Sequence, residues 1–288
     1  MIQADTIDID MELSALRGRL ERHIAEFGSV VVGFSAGVDS SVVLAASVAA
    51  LGDRALGVTA VTETITEEDV ALADELVVRL GARHEWIEYS ELAIDNYAAN
   101  PTNRCYFCKD ALYSRLAAIA RDRSIATILD GTNADDAGDY RPGRTAALEQ
   151  GVRSPLLELG ITKAQVRALA GTYGLPNADK PSAPCLSSRV PYGTGITLDV
   201  LRQIGRAERS LRELGFTELR VRHHGDVARI EIPTADFERA VARAGAIDEA
   251  IRRTGYRFVA LDLAGFRSGS LNAAIESSTL TQIELPSR

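Results

Sequence analysis

Apolar residues recur at three- and four-residue spacing between Glu12 and Phe27, where Leu13, Leu16, Leu20 and Ile24 mark one face of an amphipathic helix. The pattern then changes: Ser29 to Phe34 (SVVVGF) is a short continuous apolar run, the form of a parallel strand covered on both faces. Small and polar residues, Ser35 to Ser41, separate it from an apolar helix ending near Leu51. Ala55 to Val61 predicts the next strand. Thr66 caps a helix through Leu80, with Glu67, Glu68 and Asp69 suited to its positive N-terminal end. A strand around His84 to Tyr89, a helix around Ala111 to Arg121 and a strand at Ala126 to Asp130 continue the alternation. Thr162 opens a further helix, with Gln165 placed to complete a capping box. Strand and helix taking turns predicts an α/β domain, a parallel sheet flanked by helices.

Lys180 to Gly195 is rich in Pro, Ser and Gly and reads as a junction. Beyond it the spacing predicts a helix over Leu198 to Leu214. Leu219 to His224 and Val227 to Ile232 flank a Gly225-Asp226 turn as a hairpin. A helix from Ala235 to about Arg253 and a strand at Phe258 to Leu261 complete a smaller α+β domain. The expected division is a first domain at 1–180, a cysteine-bearing junction at 181–195 and a substrate-binding domain at 196–288.

The 288 residues are 46% hydrophobic and 25% charged, a globular composition with enough chain for two cores. The net charge of -8 is uneven. Residues 190–288 hold 14 basic and 13 acidic side chains, which leaves 18 against 27 before them. An acidic front half argues against long nucleic acid as the main ligand, since such binding grows with phosphates neutralised. No apolar run approaches the ~20 residues of a membrane span, and no signal peptide is evident, so a cytoplasmic protein is expected. Three cysteines argue against a disulfide framework.

Ser35-Ala36-Gly37-Val38-Asp39-Ser40-Ser41 falls between a buried strand and a helix. Small residues there let backbone N–H groups approach a phosphate at the helix N-terminus. The hydroxyls of Ser35, Ser40 and Ser41 can donate to phosphate oxygens, and Asp39 can hold Mg²⁺. The Gly-Lys-Ser/Thr of a Walker loop is missing. The segment resembles the S-G-G-x-D-S loop of the PP-loop ATP pyrophosphatases, with Ala36 in place of a Gly; the resemblance implies cleavage of ATP between the α- and β-phosphates. Asp130-Gly131-Thr132-Asn133-Ala134-Asp135-Asp136 ends the fourth strand, where ligands of open α/β sheets bind. Gly131, Thr132 and Asn133 can contact the nucleotide, and Asp135 or Asp136 can offer oxygen to Mg²⁺.

The cysteines lie in Arg104-Cys105-Tyr106-Phe107-Cys108-Lys109 and Pro184-Cys185-Leu186-Ser187-Ser188-Arg189. Together with the phosphate loop, Gly131 to Asp136, Arg141-Pro142-Gly143 and Arg220-Val221-Arg222, these segments resemble LarE, the family of ATP-dependent sulfur transferases of nickel-pincer cofactor synthesis. The resemblance runs from about Leu13 to Leu263. It implies adenylation of a carboxylate of pyridinium-3,5-biscarboxylic acid mononucleotide, then exchange of carboxylate oxygen for sulfur. It makes Cys185 the sulfur centre with Ser188 and Arg189 beside it, and Arg220 and Arg222 ligands of the substrate phosphate, with Glu208 and Glu231 nearby. It also implies a homo-oligomer.

Two sulfur routes stand open. In one, Cys185 is sacrificed to dehydroalanine; in the other, Cys105, Cys108 and Cys185 hold a 4Fe–4S cluster that carries exchangeable sulfide. The cluster is the favoured expectation, because the chain's cysteines occur only at these positions. A zinc site would need His84, His223 or His224 as a fourth ligand, and no spacing commends them. Lys109 can neutralise the triphosphate or be an ordinary exposed lysine opening a helix. Arg220 and Arg222 share a strand face, which can equally be solvated; Glu208 and Glu231, taken singly, read as surface charges. His223 and His224, being adjacent on a strand, point opposite ways. Trp86 is expected in the core. A tRNA thiolase of the same superfamily and a non-catalytic nucleotide-binding protein are the alternatives.

Overall fold

The computed structural model describes residues 2–138, 142–181 and 184–267, apart from the side chains of 2–10, 137 and 138. Arg141 of the Arg-Pro-Gly motif lies outside them. The chain divides into two units, Met1–Ile94 with Asn103–Ala183, and Asp95–Thr102 with Pro184–Arg288.

The first unit is a four-stranded parallel sheet in the order β3-β2-β1-β4, formed by β1 (Val30–Gly33), β2 (Ala55–Val61), β3 (Arg83–Glu88) and β4 (Thr127–Leu129). Val30 pairs with Ala55 on one side and Thr127 on the other, so β1 is central. That is why its sequence lacks alternation. Val30 and Val32 pack with α1 (Ile2–Ala25), α2 (Val38–Leu51) and α7 (Lys163–Thr172), while Val31 packs with α4 (Arg104–Asp122) on the opposite face. Burying each such side chain contributes roughly 1.5–3 kcal/mol. Helix α3 (Glu67–Leu80) is capped as expected, the Thr66 side chain accepting from the Asp69 N–H. The Thr162–Gln165 capping box closes on α7. Short helices α5 (Pro142–Glu149) and α6 (Pro155–Glu158) follow β4.

Three expectations are corrected here. Helix α4 begins at Arg104 rather than near Ala111, so both cysteines of the C-x₂-C pair are helical and Lys109 sits in the second turn. Trp86 is not core: it lies on the edge strand β3, 36% exposed, with its ring edge-on to His84 at 4.8 Å.

The third correction falls in the second unit. A sheet of β5 (Arg220–His224), β6 (Val227–Glu231) and β7 (Phe258–Leu261) runs antiparallel then parallel. It packs Val221, Ala228 and Ile230 against Ala207 and Leu211 of α8 (Leu198–Glu213) and Ile247 and Ile251 of α10 (Ala244–Arg252). The helix expected over 235–253 is broken at Arg243 into α9 (Phe237–Ala242) and α10. The Ala- and Gly-rich sequence there carries no strong signal of its own. Among the described residues no helix is long and apolar enough to cross a membrane.

Candidate functional site

In the first unit the chain leaves β1 through Phe34, turns at Ser35-Ala36-Gly37 and enters α2. Gly37 is the N-cap and gives no side-chain cap, so α2 begins without one. The loop is shaped from within: the Ser40 and Ser41 hydroxyls donate to the Gly37 carbonyl at 3.1 and 2.9 Å, and the Ser35 N–H donates to Ser40 Oγ. Ser35 is exposed, Asp39 half-buried, and Val38, Ser40 and Ser41 are buried. Ala36 holds a left-handed φ of 54°, where glycine is the comfortable residue. The Asn177 amide donates to the Ala36 carbonyl (3.0 Å) and Ser41 Oγ (2.9 Å), while its own buried Oδ1 has no hydrogen-bond partner among the described residues.

The loop after β4 packs onto this one. A Cβ on Gly131 would lie 2.7 Å from the Ser40 nitrogen, so only glycine permits the approach. Asp130, buried, accepts from the Thr132 N–H and hydroxyl, Ser154 and Tyr113. Asn133 donates to Asp39 Oδ1 at 3.1 Å, and the Lys163 ammonium ion-pairs with Asp39 Oδ2. Asp135 accepts from the Lys163 backbone N–H, and Asp136 from that of Asn133. Ser35 to Ser41, Gly131, Asn133 and Asp39 are thus neighbours. Lys163 and Asn177 are site residues that sequence reasoning missed; one looks like an ordinary first residue of a capped helix, the other like a loop asparagine.

Helix α4 brings a second group to the same unit. Lys109 lies 5.4 Å over the Tyr113 ring; Tyr113 and, against the cost of burial, Asp130 and Cys108 hold its ammonium above the ordinary value. Gly143 admits this helix closely, since a Cβ there would fall 2.8 Å from Lys109 Cγ. Cys105 is exposed, whereas the half-buried Cys108 thiol donates to Glu91 Oε1 at 3.1 Å. Burial, then Cys108 and Glu91, push the Tyr89 phenol up.

The second unit holds the third thiol. Cys185 is exposed and precedes a 3₁₀ turn, Leu186–Arg189. Arg189 is buried and donates to the Pro184 and Cys185 carbonyls and to Ser188 Oγ, while its Nε meets Glu208 Oε1 at 2.8 Å. Arg222 donates to the Ser188 carbonyl at 2.6 Å and pairs with Glu231 at 2.9 Å. The solvated strand face and surface carboxylates are therefore corrected: Arg220, Arg222, Glu208 and Glu231 are all at most 5% exposed. Each of these carboxylates neutralises a guanidinium, since charges are not buried unpaired. Arg220 is different. Among the described residues it makes no ion pair; it stacks on Phe266 at 4.4 Å and donates to the Arg267 carbonyl. Burial, then Arg222 and Arg189, lower its guanidinium from the ordinary value. His223 is buried against Tyr256 and His224 is exposed, while His84 bonds Thr59. Among the described residues no three His, Cys, Asp or Glu side chains gather into a set able to hold a metal ion.

Residues 12–126 match the NAD synthase family, whose fold is the PP-loop sheet just described. Over 274 residues the chain is 39% identical to the pyridinium-3,5-bisthiocarboxylic acid mononucleotide synthase of Lactiplantibacillus plantarum, covering 95% of this chain and 98% of that one. It is 41% identical over 258 residues to an uncharacterised protein of Synechocystis, covering 89% and 96%. A shorter likeness, 38% over 76 residues and about a quarter of each chain, is to the NH₃-dependent NAD⁺ synthetase of Chlorobaculum tepidum.

Proposed function

The chain belongs to the LarE family, and from that premise we propose that it is an ATP-dependent sulfur transferase converting a carboxylate of pyridinium-3,5-biscarboxylic acid mononucleotide to a thiocarboxylate. The observation that carries this reading is the packing of two small-residue loops, 35–41 and 130–136, with Asn133 and Lys163 on Asp39. Such a cradle suits a polyphosphate, because its small residues let a phosphate approach the backbone and Lys163 brings an ammonium to Asp39 beside it.

A carboxylate is a poor electrophile until one oxygen becomes a leaving group. Its attack on the α-phosphorus of ATP expels pyrophosphate and gives the acyl-adenylate. Lys163 and Lys109 offset the phosphate charge. Mg²⁺ would be held by Asp39, whose carboxylate suits a hard cation that binds through one or two oxygens, and would supply further neutralisation at the phosphates. The Cys185 thiolate then attacks the acyl carbon; the C–S bond forms and AMP departs with the C–O electron pair. Loss of the Cys185 α-proton, with cleavage of its Cβ–Sγ bond, releases the thiocarboxylate and leaves dehydroalanine. A 4Fe–4S cluster, held by Cys105, Cys108 and Cys185, would instead supply exchangeable sulfide and spare Cys185 from sacrifice. Arg220, which makes no ion pair among the described residues, is the best candidate to grip the substrate phosphate.

Cys185→Ser should abolish thiocarboxylate while leaving substrate-dependent pyrophosphate release, and the wild-type peptide should lose the mass of H₂S after one turnover. Thiocarboxylate from the serine variant, or ATP cleaved only at its terminal phosphate, would sink the proposal.

A further inference from the structure

Residues 95–102 stand between β3 and α4 in the chain, yet they group with the second unit. There they form a brace under the Cys185 loop. Asn100 is fully buried, and its amide nitrogen donates to the carbonyls of Pro191 (2.7 Å), Thr194 (3.0 Å) and Val190 (3.3 Å). Its own carbonyl accepts from the Gly193 N–H at 2.9 Å, and the Ala98 carbonyl accepts from Ile196 N–H at 2.8 Å. Tyr97, also buried, bonds through its hydroxyl to Ser187 Oγ at 2.7 Å. The loop from Ser187 to Ile196 is thereby tied to one short strap at both of its ends.

The strap is strained where it does this. Asn96 and Asn100 have φ of 65° and 56°, two of the four non-glycine residues in the left-handed region among the described residues. Asn100 also precedes Pro101, which narrows its backbone freedom. Strain of about 1–3 kcal/mol persists only where surrounding contacts over-determine the conformation. Glycine would relieve the backbone at position 100 but could not donate to three carbonyls. The side chain, not the turn, is what the site requires.

We propose that Asn100, assisted by Tyr97, is a positioning residue for sulfur transfer: it fixes the loop that presents the Cys185 thiol. This rests on the assignment of Cys185 as the sulfur centre. A thiol displaced by an ångström loses its line of attack, at a cost of up to about 10²-fold in rate. Adenylation forms no bond to the Cys185 thiol, so the effect should fall chiefly on the sulfur-transfer half-reaction.

The test uses the full-length chain with Asn100→Gly, which keeps the left-handed backbone and removes only the amide, and Tyr97→Phe, which removes one hydroxyl. The single-turnover rate of thiocarboxylate formation should fall at least about tenfold in the first and about threefold in the second. Substrate-dependent pyrophosphate release and the KM for ATP should stay as in the wild type. Alkylation of Cys185 by iodoacetamide, followed by peptide mass, should change in rate and pH profile in both variants. An unchanged single-turnover rate and unchanged alkylation in both would overturn the brace. Should Asn100→Gly show no cooperative melting, Tyr97→Phe decides alone by the same readouts. Failure of the underlying assignment looks different: Cys185→Ser would still make thiocarboxylate, whatever the strap variants do.

Discussion

At the scale of single residues, two positions in the cradle carry opposite constraints. Gly131 has no room: an added methyl meets the Ser40 backbone nitrogen at 2.7 Å, and backbone cannot step aside as a flexible side chain can. Gly131→Ala should cost about 1–3 kcal/mol of stability by overpacking and weaken ATP binding at least tenfold, measured by urea unfolding and by calorimetric titration. Ala36 has the reverse problem, a side chain where φ is 54°. Replacing it with Gly relieves about 1–2 kcal/mol of left-handed strain, but loses a buried methyl worth about 0.8 and adds unfolded-state entropy of about 0.4–1. The terms nearly cancel, so Ala36→Gly should stay within about 1 kcal/mol of the parent. That near-cancellation explains how this chain tolerates alanine where the PP-loop pattern has glycine. The arginines separate by partner rather than position. Arg222→Ala would leave Glu231 short of a partner and should cost about 3 kcal/mol. Arg220→Ala should spare stability and raise the KM for the mononucleotide at least tenfold. Equal effects of the two changes on both readouts would refute that division.

At the scale of elements, α6 seats Leu156 in the core and is also tied to α1 through one carboxylate. Glu158 accepts from Arg153 at 2.7 Å, His23 of α1 at 2.7 Å and the Ser154 N–H at 3.1 Å. Burial alone would raise its pKa, but these donors outweigh it and hold Glu158 down at about 2, against an ordinary 4.5. A depressed carboxylate stabilises fully above its unfolded pKa and loses that contribution as pH falls through the folded one. The window is therefore pH 4.5 down to about 2. With a quarter of the side chain open to water, screening discounts the effect to on the order of 2 kcal/mol. Glu158→Gln should flatten the acid limb of the stability–pH curve in that window, and an unaltered limb would refute the role. Elements such as β1, β2, α3 and α7 were legible because hydrophobic run length and capping residues are local signals. The start of α4 was not, because Arg104-Cys105-Tyr106-Phe107 lacks helical periodicity. Trp86 misled because an edge strand leaves one flank open, which its own residues do not reveal. Asn100 and Asn177 read as turn residues; their hydrogen bonds reach 90 and 141 positions along the chain, beyond any local pattern.

At the scale of the whole molecule, each of the two units builds its own apolar core among the described residues. One lies on either side of the parallel sheet, the other between the smaller sheet and α8 and α10. The motif residues divide between them: the cradle with Lys109, Cys105 and Cys108 in the first, Cys185 with Arg189, Arg220 and Arg222 in the second. The sequence singles out both groups as candidates, because small-residue loops and cysteines are conspicuous. It could not foresee that the acidic residues Glu208 and Glu231 are consumed as arginine partners. The division has a thermodynamic consequence. For units that unfold independently, a ligand stabilises the one that binds it, by about 2.7 kcal/mol when present at 100 times its Kd. For a unit of this size that is a rise of roughly 5–10 °C in its midpoint. A non-hydrolysable ATP analogue should therefore protect backbone amides of β1, α2 and the 130–136 loop from hydrogen exchange while leaving β5, β6 and α8 unchanged. A pyridinium mononucleotide should do the converse, protecting β5 and the 184–189 turn. Equal protection of both units by the ATP analogue would mean that they unfold as one cooperative body, and the assignment of separate ligands to separate cores would fail.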